Sequence, residues 1–180
     1  MLWEELGTKR ISFEAQGATC TLVQDYLIFF GGDNPQSNAL NVFDLKAYKW
    51  VENLDIKGPR PISRIKHTAC LMNDNRIIFY GGRIPSDDEF CTDILILHVT
   101  INKSKFLLNK INLSSGISLT WEQDEKYSNS RCPQRFFHTS NIYKDKMYVF
   151  AGYNNTKTSE NPILILNLSK FMFFKIPQLR

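Results

Sequence analysis

Three stretches of this chain share one pattern, an apolar run that stops at a pair of small residues. Runs of apolar, β-branched and aromatic residues that end at glycine are typical of buried β-strands, because glycine permits positive φ and close backbone approach at the strand end. The pairs begin at positions 31, 81 and 151, so the spacing is 50 residues and then 70. Repeats of this length predict an array of similar structural units. The stretches are Leu27-Ile28-Phe29-Phe30-Gly31-Gly32, Ile77-Ile78-Phe79-Tyr80-Gly81-Gly82 and Met147-Tyr148-Val149-Phe150-Ala151-Gly152.

The sequence around each run repeats as well. A short strand that contains a threonine precedes each run, a third apolar strand follows it, and an aromatic residue marks a fourth strand. An arginine and a histidine three residues apart stand ahead of the second and third repeats. The recurring positions are Thr19, Thr68 and Thr139 for the first strand, Val42, Ile96 and Ile165 for the third, Trp50, Trp121 and Phe173 or Phe174 for the fourth, and the pairs Arg64 with His67 and Arg135 with His138.

This order of strand, glycine pair, loop, strand and tryptophan, with arginine and histidine ahead of the next unit, resembles the kelch motif. The resemblance covers nearly the whole chain in three copies. It implies an all-β fold, a partial kelch-type β-propeller of about three four-stranded antiparallel blades. Two departures are Gly17, which we expect at the histidine position of the first repeat, and Ala151, which replaces the first glycine of the third.

The repeats divide the chain into one kelch-repeat region with four parts. We expect residues 11–56 to form blade one, 57–126 blade two and 127–180 blade three, and residues 1–10, with Trp3, to form the outer strand of a preceding blade. Blade two is longer because an insertion, roughly 100–118, separates its third strand from Trp121. Long loops in compact domains are often functional, so this insertion is either a docking element or a tolerated loop.

Three blades do not close a propeller, since closed propellers have about four to eight. An open arc exposes two apolar blade faces to water, which is a liability unless something covers them. We therefore expect the remaining blades to come from a longer polypeptide or from self-association. The alternative is an isolated arc whose end blades are polar.

Composition narrows the class of protein. Hydrophobic residues make up 43% and charged residues 22%, which suits a packed core, and a net charge of +4 is too small to indicate nucleic-acid binding. The N-terminus lacks the pattern of a secretory signal, and no apolar stretch approaches the roughly 20 residues of a membrane helix. We therefore expect no membrane partner, no secretion, and a location in the cytoplasm or nucleus. The four cysteines are expected to be free thiols.

No residue pattern predicts a catalytic site, a metal site or a cofactor. The glycine pairs are not followed by the Gly-Lys-Ser/Thr of a phosphate loop, no Gly-x-Ser-x-Gly element occurs, and the cysteines lack metal-ligand spacing. Catalytic residues at the ring centre are the alternative, but the innermost strands carry small side chains such as Thr68 and Cys70. We assign a structural role to the recurring residues, which are Gly31, Gly32, Gly81, Gly82, Gly152, Trp3, Trp50, Trp121, Arg64, His67, Arg135 and His138.

Basic residues in the loops are the candidate binding residues. In a propeller, the loops ahead of the first strands and those after the second strands emerge on one face, and here they carry Arg60, Arg83 and Arg131. Because arginine forms paired hydrogen bonds with carboxylates, these residues predict an acidic peptide as ligand, although nearby acidic residues offset their charge.

The function that we expect is a non-catalytic protein–protein interaction scaffold or adaptor that binds partners through loops on one propeller face. Two alternatives stay open. The first is the substrate-recognition or regulatory part of a larger enzyme, such as a ubiquitin ligase adaptor or a phosphatase-linked kelch region. The second is an architectural subunit of a cytoskeletal assembly.

Overall fold

A computed structural model describes residues 16–33, 40–87, 89–102, 116–122, 132–154 and 162–175. Every regular element within these ranges is a β-strand, and the strands form three sheets. The predicted all-β class is therefore confirmed. Three predicted features lie outside the described residues: the strand at 1–10 with Trp3, Arg131, and the central part of the insertion, 103–115.

Each sheet corresponds to one blade of a partial propeller. Blade one consists of β1 (Thr19–Val23), β2 (Tyr26–Phe30), β3 (Asn41–Asp44) and β4 (Lys49–Trp50). Blade two consists of β5 (Asp55–Lys57), β6 (Thr68–Leu71), β7 (Arg76–Tyr80), β8 (Ile94–Ile101) and β9 (Ile117–Trp121). Blade three consists of β10 (Thr139–Tyr143), β11 (Lys146–Phe150), β12 (Ile163–Asn167) and β13 (Met172–Lys175). Apart from β5, the strands of each blade follow one another along the chain and pair antiparallel.

The strand register is the same in the three blades. In each, a threonine at the start of the innermost strand pairs with the aromatic residue that ends the second strand. The pairs are Thr19–Phe30, Thr68–Tyr80 and Thr139–Phe150. This register assigns equivalent positions in the three blades, and the innermost strand of blade two, β6, adjoins both β1 and β10.

Polar side chains form matching turns between the third and fourth strands of blades one and three. The Asp44 carboxylate accepts hydrogen bonds from the N–H groups of Lys46 and Ala47 at 2.8 Å and 2.9 Å. The Asn167 side-chain oxygen accepts from the N–H groups two and three residues later at 3.0 Å and 2.9 Å. Aspartate and asparagine favour such turns because their short side chains satisfy nearby backbone donors.

Blade two carries a fifth strand that the sequence did not predict. Strand β5 pairs in parallel with β9, the outermost strand of the blade, so the linker between blades one and two covers that edge. Gly58 allows this approach, because a Cβ at its position would lie 2.3 Å from the carbonyl oxygen of Trp121. The alternation of partly buried Leu54 and Ile56 with exposed Asp55 is the strand signal that was available in the sequence.

The apolar core lies between successive blades. One cluster joins blades one and two, and it includes Val23, Tyr26, Ile28, Phe30, Val42, Ile77, Phe79, Leu97, Leu119 and Trp121. A second cluster joins blades two and three, and it includes Cys70, Met72, Ile78, Tyr80, Ile94, Ile96, Met147, Val149, Leu164 and Leu166. Blade two is therefore buried on both faces, which explains the nearly continuous apolar sequence of β7.

Strands also extend into both ends of the predicted insertion. Ile101 of β8 pairs with Ile117 of β9, and the N–H of Asn102 donates to the carbonyl of Gly116 at 2.8 Å. Among the described residues, the structure contains no helix that is long and apolar enough to cross a membrane.

Candidate functional site

Arg64 forms a buried ion pair inside blade two. Its two terminal nitrogens donate to the two carboxylate oxygens of Asp93 at 2.8 Å and 2.9 Å. Arg64 is 1% exposed, whereas the Asp93 side chain is 33% exposed. The pair ties the segment ahead of β6 to the start of β8. Arg64 is therefore positioned as a structural residue and cannot reach a ligand in solvent.

Two histidines connect successive blades. The Nε2 atom of His67 lies 2.9 Å from the Thr19 hydroxyl of blade one, and the Nε2 atom of His138 lies 2.8 Å from the Thr68 hydroxyl of blade two. Each imidazole also packs edge-on against the aromatic residue that ends the second strand of the preceding blade. Both histidines are 5% exposed. Each histidine therefore contributes a buried hydrogen bond and a ring contact to the boundary between two blades.

The first glycine of each pair lies against the backbone of the next blade. A Cβ at Gly31 would lie 2.2 Å from the Arg64 carbonyl oxygen, and a Cβ at Gly81 would lie 2.3 Å from that of Arg135. Gly32 donates its N–H to the same Arg64 carbonyl at 3.2 Å, and the second boundary repeats this contact at 2.7 Å. The glycine pair of one blade and the arginine–histidine pair of the next thus form one contact, which we name the blade joint.

A cluster of aromatic side chains lies on the face formed by the loops ahead of the first strands and after the second strands. We name Phe90, Phe136, Phe137 and Tyr153 the aromatic platform. Two backbone hydrogen bonds, of 3.1 Å and 2.9 Å, hold Phe136 against Tyr153. The ring centroids of neighbouring members lie 5.3 Å to 6.4 Å apart. Phe137 and Tyr153 are 56% and 53% exposed, so the platform presents two large aromatic surfaces to solvent.

A lysine from blade two extends the aromatic platform. Lys66 Nζ lies 4.4 Å from the centroid of the Phe137 ring, a distance at which a cation is attracted to an aromatic face. Backbone hydrogen bonds also join equivalent positions of successive blades here: Lys66 N–H donates to the Gly17 carbonyl at 2.8 Å, and Phe137 N–H donates to the Lys66 carbonyl at 3.0 Å. The backbone beside the platform is therefore hydrogen-bonded from each blade to the next.

The structure separates the predicted binding arginines. Arg60 is exposed in the linker that precedes blade two. Arg83 is partly buried, and its backbone forms isolated bridges with Ile65 and Phe90, at the edge of the aromatic platform. Arg131 lies outside the described residues. Of the two described members of the predicted set, Arg83 is the one that lies beside a residue of the aromatic platform.

A family model for the KLHDC2/KLHL20/DRC7 kelch-repeats domain matches residues 17–178. The chain belongs to the kelch-repeat family. It is 29% identical to human Kelch domain-containing protein 3 over 145 residues, which cover 79% of this chain and 33% of the relative. It is 28% identical to an F-box/kelch-repeat protein of Arabidopsis thaliana, with coverage of 76% and 27%, and to Tip elongation aberrant protein 1 of Schizosaccharomyces pombe, with coverage of 76% and 11%. The chain thus spans a third or less of the length of these relatives.

The register corrects one assignment within the first kelch repeat. Gly17 does not take the histidine position: it aligns with Lys66 and Phe137, which share its positive φ, and Ala18 stands where the histidine lies in the other repeats. The sequence alone did not reveal this. If the alignment of the first repeat is shifted by one residue, the neighbouring threonine still falls within a strand, so both alignments look acceptable. Blade one therefore lacks the imidazole that would contact a preceding blade.

The tryptophans of the kelch repeats differ in their contacts. Trp121 is 4% exposed, and its ring packs against Phe30 of blade one and Phe79 of blade two, with centroids 5.0 Å and 5.6 Å away. Trp50 packs on Phe29 and Phe43 of its own blade. Trp121 therefore contributes directly to packing between blades.

Burial of the joint histidines lowers their pKa values. Desolvation is the main cause for both. Desolvation and the positive charge of Arg64 together lower the pKa of His67 to about 3. Desolvation and the positive charge of Arg135 together lower the pKa of His138 to about 4. An unperturbed histidine titrates near pH 6.5. Both rings are therefore neutral in the folded chain at neutral pH.

We expect the free energy of unfolding to fall as the pH is lowered from about 6.5 towards 4. Because the folded-state pKa values lie below the unfolded-state value, the unfolded chain binds the extra protons, and the stability present above pH 6.5 is lost on acidification. Each histidine contributes a slope of roughly 1 kcal/mol per pH unit. Urea unfolding at a series of pH values measures how the free energy of unfolding changes with pH. The variant His67→Gln should be less stable but have a shallower slope, and equal slopes in the two chains would contradict the assignment.

None of the four members of the aromatic platform was identified from the sequence. Phe136, Phe137 and Tyr153 adjoin motif residues that were read as structural. Their signal was available: these positions align with Ile65, Lys66 and Arg83 of blade two, so blade three carries aromatic residues at three loop positions where blade two carries one apolar and two basic residues.

The remaining chemistry-bearing side chains have simple surroundings. Cys20, Cys70 and Cys91 form no disulfide, and burial raises the pKa of the Cys70 and Cys91 thiols. His98 pairs with Glu122 at 2.8 Å in a partly exposed position. Within the described ranges, no group of three or more His, Cys, Asp or Glu side chains is arranged to hold a metal ion.

Proposed function

We propose that this kelch-repeat chain is a non-catalytic protein-interaction module that binds partner proteins on the aromatic platform. The observation that carries the proposal is the exposure of more than half of Phe137 and of Tyr153 on a face where backbone hydrogen bonds fix both residues. The kelch-repeat family is in general a family of non-catalytic interaction domains, which supports the same conclusion.

The aromatic platform has the properties of a binding hot spot. Aromatic side chains bury large areas and lose little conformational freedom on binding, and they dominate the energy of many protein interfaces. Phe137 has a positive φ of 58°, as does Lys66 at the equivalent position of blade two, so the repeat itself fixes the backbone that carries this ring. A partner would therefore meet two prepositioned rings rather than mobile side chains.

The charges around the platform favour a partner segment that carries carboxylates beside an apolar residue. Lys66 lies over the Phe137 ring and Arg83 adjoins Phe90. Exposed Glu89 lies in the loop that returns to Phe90 and offsets part of this charge. We therefore propose an acidic peptide whose apolar side chain packs on the aromatic rings.

Replacing Phe137 or Tyr153 with serine should abolish most of the binding of peptides that the unaltered chain selects from a random peptide library. Loss of a hot-spot residue costs about 2 kcal/mol, or roughly a thirtyfold increase in Kd. Fluorescence titration of the selected peptides against each variant measures the effect.

Tyr48→Ser is the matched control for these two variants. Tyr48 is an aromatic residue of similar exposure, 62%, in the turn between β3 and β4, and this turn lies at the opposite end of the blade, beside Asp25. Its replacement should leave peptide affinity unchanged, and equal losses in all three variants would contradict the proposed site. The variant Lys66→Glu tests the acidic component separately, because unchanged affinity for an acidic peptide would exclude a charge contribution from this lysine beside the Phe137 ring.

A second setting is supported by the lengths of the relatives. The chain matches 27% of the F-box/kelch-repeat protein and 6% of the Rho GTPase-activating protein gacHH of Dictyostelium discoideum, so in those proteins the matched region is part of a longer chain. We therefore propose, as a second candidate, the substrate-recognition or regulatory part of a larger enzyme. The remaining alternative is an architectural role in a cytoskeletal assembly. Sedimentation together with polymerised filaments would distinguish this role from the other two. Cys20, Cys70 and Cys91 form no disulfide, which suits a reducing compartment, so we propose the cytoplasm or nucleus as the location.

A further inference from the structure

The Lys66 ammonium lies beside the aromatic platform, and among the described residues it forms no ion pair with a carboxylate. Lys46, by contrast, pairs with Asp25 at 2.6 Å. The Nζ atom of Lys66 instead lies 4.4 Å from the centroid of the Phe137 ring. An ammonium group has three N–H donors, and a ring below it does not engage all three. Lys66 therefore keeps donors for an oxygen ligand that binds next to the ring.

The backbone restricts the distance between this cation and the ring. The carbonyl of Lys66 accepts a hydrogen bond from the N–H of Phe137 at 3.0 Å, and the N–H of Lys66 donates to the Gly17 carbonyl at 2.8 Å. The cation and the ring thus project from equivalent positions of neighbouring blades, whereas Gly17 at the same position of blade one has no side chain. A ligand on the platform therefore meets one cation and one aromatic ring side by side.

This distance determines where a carboxylate can stand in a bound peptide. A carboxylate oxygen that accepts from an ammonium lies about 3 Å from the nitrogen, so it lies within about 7 Å of the Phe137 centroid. In an extended peptide, alternate side chains point to the same side and are about 7 Å apart, whereas adjacent side chains point to opposite sides. Side chains four residues apart are separated by about 13 Å, nearly twice the distance to be spanned.

A short partner segment favours the extended form. Helices of fewer than about 12 residues are marginal in water, so a bound helix would require ordering that reduces the affinity. In a helix, the side chains that lie close together on one face are three or four residues apart. The separation between the acidic and the apolar residue therefore distinguishes an extended ligand from a helical one.

We propose that the aromatic platform selects extended peptides in which an acidic residue stands two positions from the apolar residue that packs on the rings, because Lys66 binds that carboxylate. The rings of Phe137 and Tyr153 are inclined at 77° with centroids 6.4 Å apart, and more than half of each side chain is exposed. They form a corner for the apolar side chain. This inference rests on the proposed function, since it assigns the acidic preference of the platform to one lysine and one spacing.

Peptides that the chain selects from a random library test the spacing. Alanine replacement identifies the apolar residue on which binding depends, and a single glutamate is then placed one, two, three or four positions from it. Fluorescence titration should give a Kd about fivefold lower at a separation of two than at one or four. Equal affinities, or a preference for three or four, would overturn the spacing and leave the platform as a peptide site. Failure to select any peptide whose binding depends on Phe137 would refute the proposed function itself.

Charge reversal assigns the preference to Lys66. In the variant Lys66→Glu, a peptide with lysine at the second position should bind about fivefold more tightly than one with glutamate there. Lys46→Glu is the matched control, because it changes the net charge equally at an exposed lysine in the turn between β3 and β4, and it should retain the preference for glutamate. Circular dichroism confirms that both variants are folded. If Lys66→Glu kept the preference for glutamate, or if both variants reversed it, Lys66 would not be the residue that binds the carboxylate.

Discussion

Replacing Gly81 with alanine is expected to lower the free energy of unfolding by about 3 kcal/mol. Gly81 has a φ of +68°, and alanine in this region costs about 1–2 kcal/mol. The new Cβ would also lie 2.3 Å from the Arg135 carbonyl oxygen and 2.8 Å from His138 Cε1. Because the carbonyl belongs to the backbone, the blades must separate to relieve this contact, and overpacking of this kind costs about 1–3 kcal/mol.

Chemical denaturation measures this loss, and the third blade offers the control. Ala151 occupies the equivalent position with a φ of +57°, and no described residue of a following blade packs against it. Ala151→Gly should therefore change the stability of the monomer by less than about 1 kcal/mol. If Gly81→Ala were equally mild, the close approach of blades two and three at this position would be disproved.

Removing the Asp93 carboxylate is expected to destabilise the chain by about 3–5 kcal/mol. Arg64 is 1% exposed and donates to both oxygens of Asp93, so Asp93→Asn leaves a buried guanidinium without its compensating charge. Breaking a buried pair by removing one partner carries a penalty of this size. Urea unfolding at neutral pH reports the difference.

An exposed ion pair serves as the comparison for this variant. Asp25 pairs with Lys46 at 2.6 Å, but the two side chains are 45% and 67% exposed. Surface pairs of this kind contribute little because solvent screens them, so Asp25→Asn should have a small effect. Losses of the same size at Asp93 and Asp25 would show that burial of Arg64 does not govern the energetics.

The kelch architecture could be predicted because its signals are local. A strand that ends at paired glycines needs only neighbouring residues to specify it, and the repetition at Gly32, Gly82 and Gly152 identified the blades. The blade joint explains the recurrence: the glycines, arginines and histidines that recur in sequence meet one another in space. Their role as structural residues was a prediction, and the contacts of His67 and Arg64 provide the physical reason for it.

Other features were missed because they depend on contacts between distant residues. Strand β5 exists only because the outer strand of blade two offers a free edge beside the linker. The exposure of Phe137 depends on how blade three meets blade two, since its ring lies beside Lys66 of the other blade. Neither property can be read from the residues within one repeat.

The sequence by itself determined the class of fold, the number of repeated units and the positions at which each second strand ends, because backbone preferences and apolar runs act over a few residues. Only the tertiary structure decided which basic and aromatic side chains reach solvent. Burial is a property of the assembled blades: it encloses Arg64 within blade two and leaves Phe137 and Tyr153 on an open face.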